Sequence, residues 1–446
     1  MIKRILESEL VKWKESKTRK PLIIRGARQV GKTTLIKAFG QSFPIFIYLN
    51  LDLKSDLELF SSELGINELY QLICFRKSVT LDPQRSLLVI DEIQNSPLAI
   101  KMLRYFYEEI PQLAVIAAGS LLEAVIGKEH LSFPVGRVEN LWLHPLNFEE
   151  YLGAINHPDL LAEYHCVPVK KSALIELKRH FNTYSMLGGM PEIVLRYLEN
   201  PDMVKINRIF ESLIRSYWED VDKYAGDKVL AEAISHVLNT AFAEAGKRIT
   251  LENFGNSNYR SQTMKEAFSK LERAQLLRLM YPVTSTAMPQ IPNYRRKPRL
   301  QMLDTGLLNY QLGIQEEFFF DNGLTTMYKG IIVQHLVGQE LDSLYLDSPP
   351  KVTFWIREKH QSSAEVDFVF PYKGIMIPIE VKSGATGSLR SLHQYMASTN
   401  QKLAVRIYEG EPGQETVALP TGGSFHLLNL PLCLTGKVKE YLDFYH

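Results

Sequence analysis

Apolar runs alternate with segments of helical spacing along the first 120 residues or so of the chain. Short, mostly apolar runs read as buried strands, and they are predicted at 21–25, 45–50, 86–92 and 114–118. Apolar residues spaced three and four apart predict helices at 2–13, 33–39, 64–76 and 97–109. Strands that alternate with helices indicate an α/β domain built on a parallel sheet.

The pattern changes twice further along the chain. Helical spacing dominates residues 170–245, with an interruption at Gly188-Gly189-Met190-Pro191 and a helix predicted at 211–224. A helix at 261–273 followed by a strand at 274–279 has the order of a winged-helix module. The last elements are predicted as helix, three strands, helix and strand, at 324–344, 352–356, 365–370, 375–382, 388–398 and 402–409. We therefore expect three domains, at 1–165, 166–320 and 321–446.

Composition narrows the class of protein without identifying it. The chain has 446 residues, a formal net charge of +1 and 45% hydrophobic residues, which are ordinary values for a multidomain globular protein. Any basic site for nucleic acid must therefore be local. Its three cysteines lie far apart and lack metal-binding spacing, as is typical of a reducing compartment. We found neither a membrane-length apolar run nor the apolar core of a signal peptide, and we expect a cytoplasmic protein without a membrane partner.

The first candidate site is a glycine loop between the first strand and the second helix. Its sequence is G-x-x-x-x-G-K-T, the phosphate-binding P-loop. The residues expected to bind nucleotide here are Gly26, Ala27, Arg28, Gln29, Val30, Gly31, Lys32, Thr33 and Thr34. Backbone N–H groups and the helix N-terminus would face the anion. Lys32 would reach the β- and γ-phosphates, and the Thr33 hydroxyl would hold Mg²⁺.

Two acids end the apolar strand at 86–92, in the Walker B arrangement. Asp91 is expected in the Mg²⁺ shell, and Glu92 is expected to polarise the attacking water. Gly119 and Ser120 follow the next strand, and ligands of open parallel sheets lie beyond the carboxyl ends of the strands. Ser120 is therefore expected either near the γ-phosphate or as a helix cap.

Together these motifs resemble an AAA-type ATPase, specifically the prokaryotic group that carries a C-terminal domain of unknown function. The resemblance rests on the P-loop, on Ile90-Asp91-Glu92 and Ala118-Gly119-Ser120, and on Gly136-Arg137-Val138 with the Pro145–Leu152 segment. It implies an AAA core that uses ATP and Mg²⁺, with Ser120 in the sensor role. Arg137 would then stabilise transition-state charge within one chain or across a homo-oligomer, or would form a structural salt bridge.

The winged-helix segment suggests DNA as a partner. Polar and basic residues begin its long helix, and a basic cluster follows in the expected wing: Arg260, Ser261, Gln262, Thr263 and Lys265, then Arg295, Arg296, Lys297 and Arg299. The helix end would enter the major groove and the wing would follow phosphates. Packing or protein contact is the equally weighted alternative.

The C-terminal segment carries a second constellation of charged residues. Asp367 lies on one predicted strand, and Glu380 and Lys382 share one face of the next. This arrangement resembles the PD-(D/E)xK nuclease motif, which implies a restriction-endonuclease-like fold with a divalent ion, Mg²⁺ or Mn²⁺, on Asp367 and Glu380. Lys382 would position or activate water. Where many members of that class place a helical glutamate, this chain has Gln334, with Glu340 later.

Two functions are consistent with these sites. The first is an Mg²⁺-dependent ATPase that acts on nucleic acid with a nuclease-like domain, using Lys32, Glu92 and Arg137 at one site and Asp367, Glu380 and Lys382 at the other. The second is an ATP-controlled switch whose C-terminal domain binds protein or DNA without cutting it.

Overall fold

The computed structural model describes residues 2–61, 64–119, 134, 136–221, 225–315, 326–357, 364–384 and 389–445, without the side chains of 326–329. Its α-helices are α1 Leu6–Glu15, α2 Lys32–Gly40, α3 Lys54–Leu57, α4 Ile66–Arg76, α5 Pro97–Glu109, α6 Phe148–Ala154, α7 Pro158–Tyr164, α8 Lys171–Leu187, α9 Pro191–Glu199, α10 Met203–Glu219, α11 Lys228–Ala241, α12 Ser261–Arg273, α13 Thr305–Gln311, α14 Thr326–Asp342, α15 Arg390–Met396 and α16 Val438–Tyr445. Short 3₁₀ turns lie at Glu58–Ser61, Ile93–Asn95, Phe242–Glu244, Phe254–Asn256 and Leu432–Lys437. Its strands are β1 Leu22–Arg25, β2 Ile45–Asn50, β3 Ser86–Asp91, β4 Ala114–Ala118, β5 Glu139–Trp142, β6 Leu277–Met280, β7 Pro282–Val283, β8 Arg299–Met302, β9 Thr353–Ile356, β10 Glu365–Tyr372, β11 Ile375–Val381, β12 Leu403–Tyr408, β13 Gly413–Ala418 and β14 Ser424–Pro431.

The N-terminal segment forms a five-stranded parallel sheet in the order β2-β3-β4-β1-β5. The predicted strands and their alternation with helices are confirmed, and so is the parallel α/β class. Strand β4 lies between β1 and β3, so the chain leaves β1, passes to the far edge of the sheet and then returns. The carboxyl ends of β1 and β3 therefore lie at the same edge of the sheet, with β4 between them.

Side chains of this sheet alternate between two apolar layers. Leu87 and Val89 pack with helices α1 and α2, while Leu88 and Ile90 pack with α4 and α5. Burial of each such side chain contributes roughly 1.5–3 kcal/mol, which explains why the strand is apolar on both faces. Helix α5 begins as predicted, because Ser96 accepts a hydrogen bond from the Ala99 N–H and Pro97 occupies the first turn.

The middle segment contains helices α8 to α13 and a small antiparallel pair, β6 with β8. The predicted helix at 261–273 is confirmed as α12, and the strand after it begins at Leu277 instead of Ala274. The long loop between these strands includes β7, which pairs with β9 of the C-terminal sheet. The middle and C-terminal segments therefore share a sheet.

The C-terminal sheet has seven strands in the order β13-β14-β12-β11-β10-β9-β7. Strands β9, β10 and β11 are antiparallel neighbours, whereas β11, β12 and β14 run parallel. The predicted helix, three strands, helix and strand are all present as α14, β9 to β11, α15 and β12. Strands β13 and β14 and helix α16 extend the segment beyond the prediction.

Helix α14 ties the three segments together through buried polar contacts. Glu340 is 1% exposed, and its Oε1 accepts hydrogen bonds from the Phe148 N–H at 3.0 Å and the Tyr184 hydroxyl at 2.7 Å. Gln339 donates to the Tyr184 hydroxyl and to Asp304, whose carboxylate also accepts from the Gly189 N–H. Glu340 therefore connects α14 to the N-terminal and middle segments by hydrogen bonds.

Arg299 was expected in an exposed basic wing, and this is wrong, because Arg299 is 2% exposed and its guanidinium stacks on Phe354.

In the part of the chain that the structure describes, we find no helix with the length and apolar character needed to span a bilayer.

The buried Glu340 carboxyl makes stability depend on pH. Burial raises its pKa to about 7, so the native state keeps a proton that the unfolded state releases at lower pH. Stability contributed at this site is therefore present at low pH and is lost as pH rises through about 7. Glu340→Gln keeps the acceptor oxygen without the charge, and urea unfolding at pH 5 and pH 8 should show a pH-dependent loss smaller by about 2–3 kcal/mol than in wild type. Burial also raises the pKa of Asp304, to about 6, but this contribution is present in both proteins and cancels in the comparison. Equal losses in wild type and Glu340→Gln would therefore contradict this account.

Candidate functional site

The P-loop connects β1 to α2 and is held in shape by two glycines. Gly31 has a φ of +95°, a left-handed conformation that a side chain would strain. A Cβ on Gly26 would lie 2.5 Å from the Leu143 carbonyl oxygen. The loop therefore lies directly against the chain that follows β5, and its backbone has little room to shift.

Lys32 is buried within this loop. Its ammonium donates hydrogen bonds to the carbonyl oxygens of Gly26, at 2.8 Å, and Ala27, at 2.7 Å. Burial lowers the pKa of Lys32 to about 8, although the nearby Glu92 and Asp91 carboxylates act in the opposite direction. The ammonium thus remains largely protonated at neutral pH, in the place where the loop would surround a phosphate.

Asp91 joins the P-loop helix to the end of β3. Its Oδ2 accepts hydrogen bonds from the Thr33 hydroxyl at 2.8 Å and the Tyr48 hydroxyl at 2.7 Å. A hydroxyl and a carboxylate oxygen side by side are the ligands that Mg²⁺ prefers, so this pair fits the ion that a P-loop site uses. Tyr48 was not among the predicted site residues, and nothing in its strand sequence marked it.

Glu92 adopts a left-handed backbone conformation with φ of +53°, which is uncommon for a residue with a side chain. Burial raises the pKa of its carboxyl, and the Gln94 amide donates to Oε2 at 2.6 Å, which acts against that rise. Such strain is common where a side chain must be aimed at a reacting group. The extended backbone of β3 accordingly ends at Asp91, directly before Glu92.

Gln94 lies between Glu92 and the end of β4. A Cβ on Gly119 would lie 2.0 Å from the Gln94 Oε1 atom, so a side chain at this position would displace the Gln94 amide. The amide therefore lies between the candidate base, to which it donates a hydrogen bond, and the strand end that precedes Ser120. Ser120 itself lies outside the described residues, and its predicted sensor role stays a prediction.

Arg4 supports the P-loop from the N-terminal side. Its guanidinium donates to the carbonyl oxygens of Val30, at 2.7 Å, and His144, at 2.6 Å. It also forms a 3.0 Å ion pair with Glu150, within the Pro145–Leu152 segment. This contact, which was missing from the sequence interpretation, gives that segment a structural role in holding the loop.

Arg137 lies at the surface, near the start of β5. Its guanidinium forms a 2.9 Å ion pair with Glu108, which also pairs with Arg104 at 3.0 Å. These two arginines hold the pKa of the Glu108 carboxyl below its usual range. Within this single chain Arg137 is engaged in an exposed salt bridge, one of the two roles that were left open.

The C-terminal constellation forms where β10 and β11 run antiparallel. Phe368 lies opposite Ile379, a register that sets Asp367 beside Glu380. The Asp367 carboxylate accepts hydrogen bonds from the Gln334 amide at 2.5 Å and the Val381 N–H at 2.8 Å. Gln334 therefore occupies the position where a helical acid was expected, and Glu340 does not reach the site.

Glu380 and Lys382 form a 2.7 Å ion pair that uses Oε1 of the glutamate. Its Oε2 is buried and has no hydrogen-bond partner in the structure. Burial and the neighbouring Asp367 charge raise the pKa of Glu380 to about 7. Arg299 approaches from β8 and donates to the Asp367 carbonyl oxygen at 2.6 Å.

A metal site of three or more His, Cys, Asp or Glu side chains was not found among the described residues. The C-terminal site thus offers two carboxylates, one unpartnered oxygen and one ammonium. The predicted second divalent ion stays a prediction.

Three family models match successive parts of the chain. Residues 18–152 match an AAA domain, residues 178–317 match a domain of unknown function (DUF8612), and residues 329–432 match another (DUF4143). With the P-loop geometry, the first match shows an AAA-type P-loop ATPase domain at the N-terminus, as the motifs predicted.

Individual relatives are distant. An uncharacterized protein of Methanocaldococcus jannaschii is 22% identical over 299 residues, which cover 63% of this chain and 61% of that protein. The chain thus spans about three fifths of that relative's length. Among solved structures, a Walker-type ATPase of Pyrococcus abyssi is 16% identical with a TM-score of 0.44, covering 70% of this chain and 96% of its own. The Aeropyrum pernix ORC2 protein is 11% identical with a TM-score of 0.33, covering 71% and 96%.

Arg137→Ala separates the two roles of this arginine, and Arg104→Ala is the matched control because it removes the other partner of Glu108. If Arg137 completes the site of a neighbouring copy, the variant should bind ATP normally and lose turnover by about 10³-fold or more. Turnover of the wild-type protein should then rise more than proportionally with protein concentration. Both variants should unfold near the wild-type temperature, because exposed ion pairs add little stability. Equal turnover in the two variants would leave Arg137 as a surface salt bridge.

Proposed function

We propose that this protein binds and hydrolyses ATP with Mg²⁺ through its AAA-type domain. The observation that carries the proposal is the 2.8 Å hydrogen bond between the Thr33 hydroxyl and Asp91. This contact holds the P-loop helix and the acidic end of β3 side by side, which supports a shared site for a nucleotide and its ion. Lys32, Glu92 and the glycine loop all lie around this contact.

Each residue then has a definite task. Backbone N–H groups between Gly26 and Gly31 would bind the phosphates, and Lys32 would turn from the loop carbonyls to the β- and γ-phosphate oxygens. Mg²⁺ held by Thr33 and Asp91 would neutralise charge on the same phosphates. Glu92 would accept a proton from the attacking water at Oε1, while Gln94 holds Oε2.

For the C-terminal segment we propose a nuclease-like module that acts on nucleic acid. The Glu380 Oε2 atom, buried without a partner beside Asp367, supports a divalent cation there, because a buried carboxylate oxygen is normally paired. Lys382 would hold a water or a phosphate oxygen. The departure at Gln334 supports the alternative, a module that binds protein or DNA without cutting, since an amide replaces one acid.

The loop between β7 and β8 supports contact with nucleic acid. Arg295, Arg296 and Lys297 are exposed there, next to Tyr294 at 74% and Ile291 at 69% exposure. Cations suit phosphates, and exposed rings suit bases. We propose that this loop is the wing of a winged helix, with α12 as its long helix.

Glu92→Gln tests hydrolysis separately from binding. The amide keeps the shape of the side chain and the Gln94 contact but cannot accept the proton, so turnover should fall by about 10²–10⁴ with ATP affinity retained. Lys32→Ala is the companion variant, and it should lose binding as well. Phosphate release and calorimetric titration on the full chain measure both. Normal turnover in Glu92→Gln would place the base elsewhere.

Thermal unfolding of the nucleotide-free full chain tests the C-terminal ion. Mn²⁺ should raise the unfolding temperature of wild type, and the shift should grow from pH 6 to pH 8, because the ion must displace the proton on Glu380. Glu380→Gln should abolish the shift. Asp91→Asn, which alters only the ATP site, should retain it. A wild type without any Mn²⁺ shift would favour the alternative function, and a shift lost only in Asp91→Asn would assign the ion to the AAA domain.

A further inference from the structure

The apex of the P-loop touches the end of helix α10. The Arg28 guanidinium forms an ion pair with Asp220, the residue that directly follows the helix. The Tyr217 hydroxyl donates to the Arg28 carbonyl oxygen at 3.3 Å, and the Ser216 hydroxyl lies 3.4 Å from the Gln29 side-chain oxygen. Two successive residues of the phosphate loop are thus held by one turn of the middle segment.

The two side chains of this ion pair are buried to different extents. The Asp220 side chain is 2% exposed, whereas that of Arg28 is 39% exposed. Asp220 therefore depends on protein partners for stabilisation, because a carboxylate that loses its cation inside a protein is costly. Arg28 has access to solvent on one side and is able to turn toward another anion.

That other anion is the nucleotide of the proposed ATP site. Arg28 lies between the two glycines of the loop, and its charge is close enough to lower the pKa of Lys32. A triphosphate carries more negative charge than a carboxylate and offers two oxygens to the planar guanidinium. Asp220 and a terminal phosphate bound in that site would therefore compete for one cation.

We infer that Arg28 exchanges Asp220 for the γ-phosphate when ATP binds, so that Asp220 makes α10 a sensor of the triphosphate. This inference rests on the proposed ATP site and adds its regulation. ADP lacks the γ-phosphate and leaves the Arg28–Asp220 pair in place. The two binding events are linked, so their effects on each other are equal. The contact between α10 and the P-loop weakens ATP binding by the same factor by which ATP binding weakens that contact.

Asp220→Asn tests the competition, with Asp202→Asn as the matched control. Asp202 caps the other end of α10, where it accepts hydrogen bonds from the Val204 and Lys205 N–H groups, far along the helix from the loop. In the full chain, Asp220→Asn should bind ATP about 5- to 150-fold more tightly than wild type, the range usual for such coupling. Its affinity for ADP should change less, and Asp202→Asn should match wild type for both. ATP affinity in Asp220→Asn that is unchanged or weaker overturns the inference.

Trp218 gives a second test that needs no change at Asp220. It lies on the same turn of α10 and is partly buried, so release of the helix should alter its fluorescence. A non-hydrolysable ATP analogue should change the emission of the wild-type protein, ADP should not, and the change should be missing in Trp218→Phe. Analogue binding without a Trp218 signal overturns the sensor and leaves the ATP site intact. A wild type that binds neither nucleotide instead contradicts the proposed function.

Discussion

The position of β4 between β1 and β3 is the constraint on which the candidate ATP site depends. Two parallel strands with one strand between them are two strand spacings apart, roughly 10 Å. The residues at their carboxyl ends are separated by about the same distance. The first turn of α2 and the side chain of Asp91 cover that gap, and they meet in the Thr33–Asp91 hydrogen bond. Glu92, Gln94 and Gly119 lie along the same edge. The site is therefore a consequence of strand order as much as of the motifs themselves.

A second feature is that the three segments of the chain are interlocked. Strand β7 of the middle segment completes the C-terminal sheet, and α14 of the C-terminal segment places Glu340 against Phe148 and Tyr184. Arg299 of the middle segment donates a hydrogen bond to the carbonyl oxygen of Asp367 in the C-terminal sheet. The N-terminal, middle and C-terminal segments are therefore held to one another by buried contacts and a shared sheet.

The sequence predicted those parts of the candidate sites whose residues lie close together in the chain. The glycine loop, the acids that end β3 and the pair Glu380 and Lys382 are each a short motif, so their placement follows from one strand or one turn. Arg4 and Tyr48 were missed, because each reaches its partner through packing between distant segments. Strand β5 was also missed, since it has four residues and mixes Glu139 and Asn140 with apolar ones. Arg299 was assigned to the surface because clusters of basic residues are usually exposed to solvent. Its burial is possible because it pairs with Glu365 and lies over two aromatic rings.

The central claim is that this edge of the sheet forms an ATP site completed by an ion at Thr33 and Asp91. Calorimetric titration of the nucleotide-free full chain with ATP, with Mg²⁺ present and then with Mg²⁺ chelated, tests it most directly. The account predicts one ATP per chain and an affinity that falls when Mg²⁺ is removed. Absence of saturable binding, or the same affinity under both conditions, would contradict it.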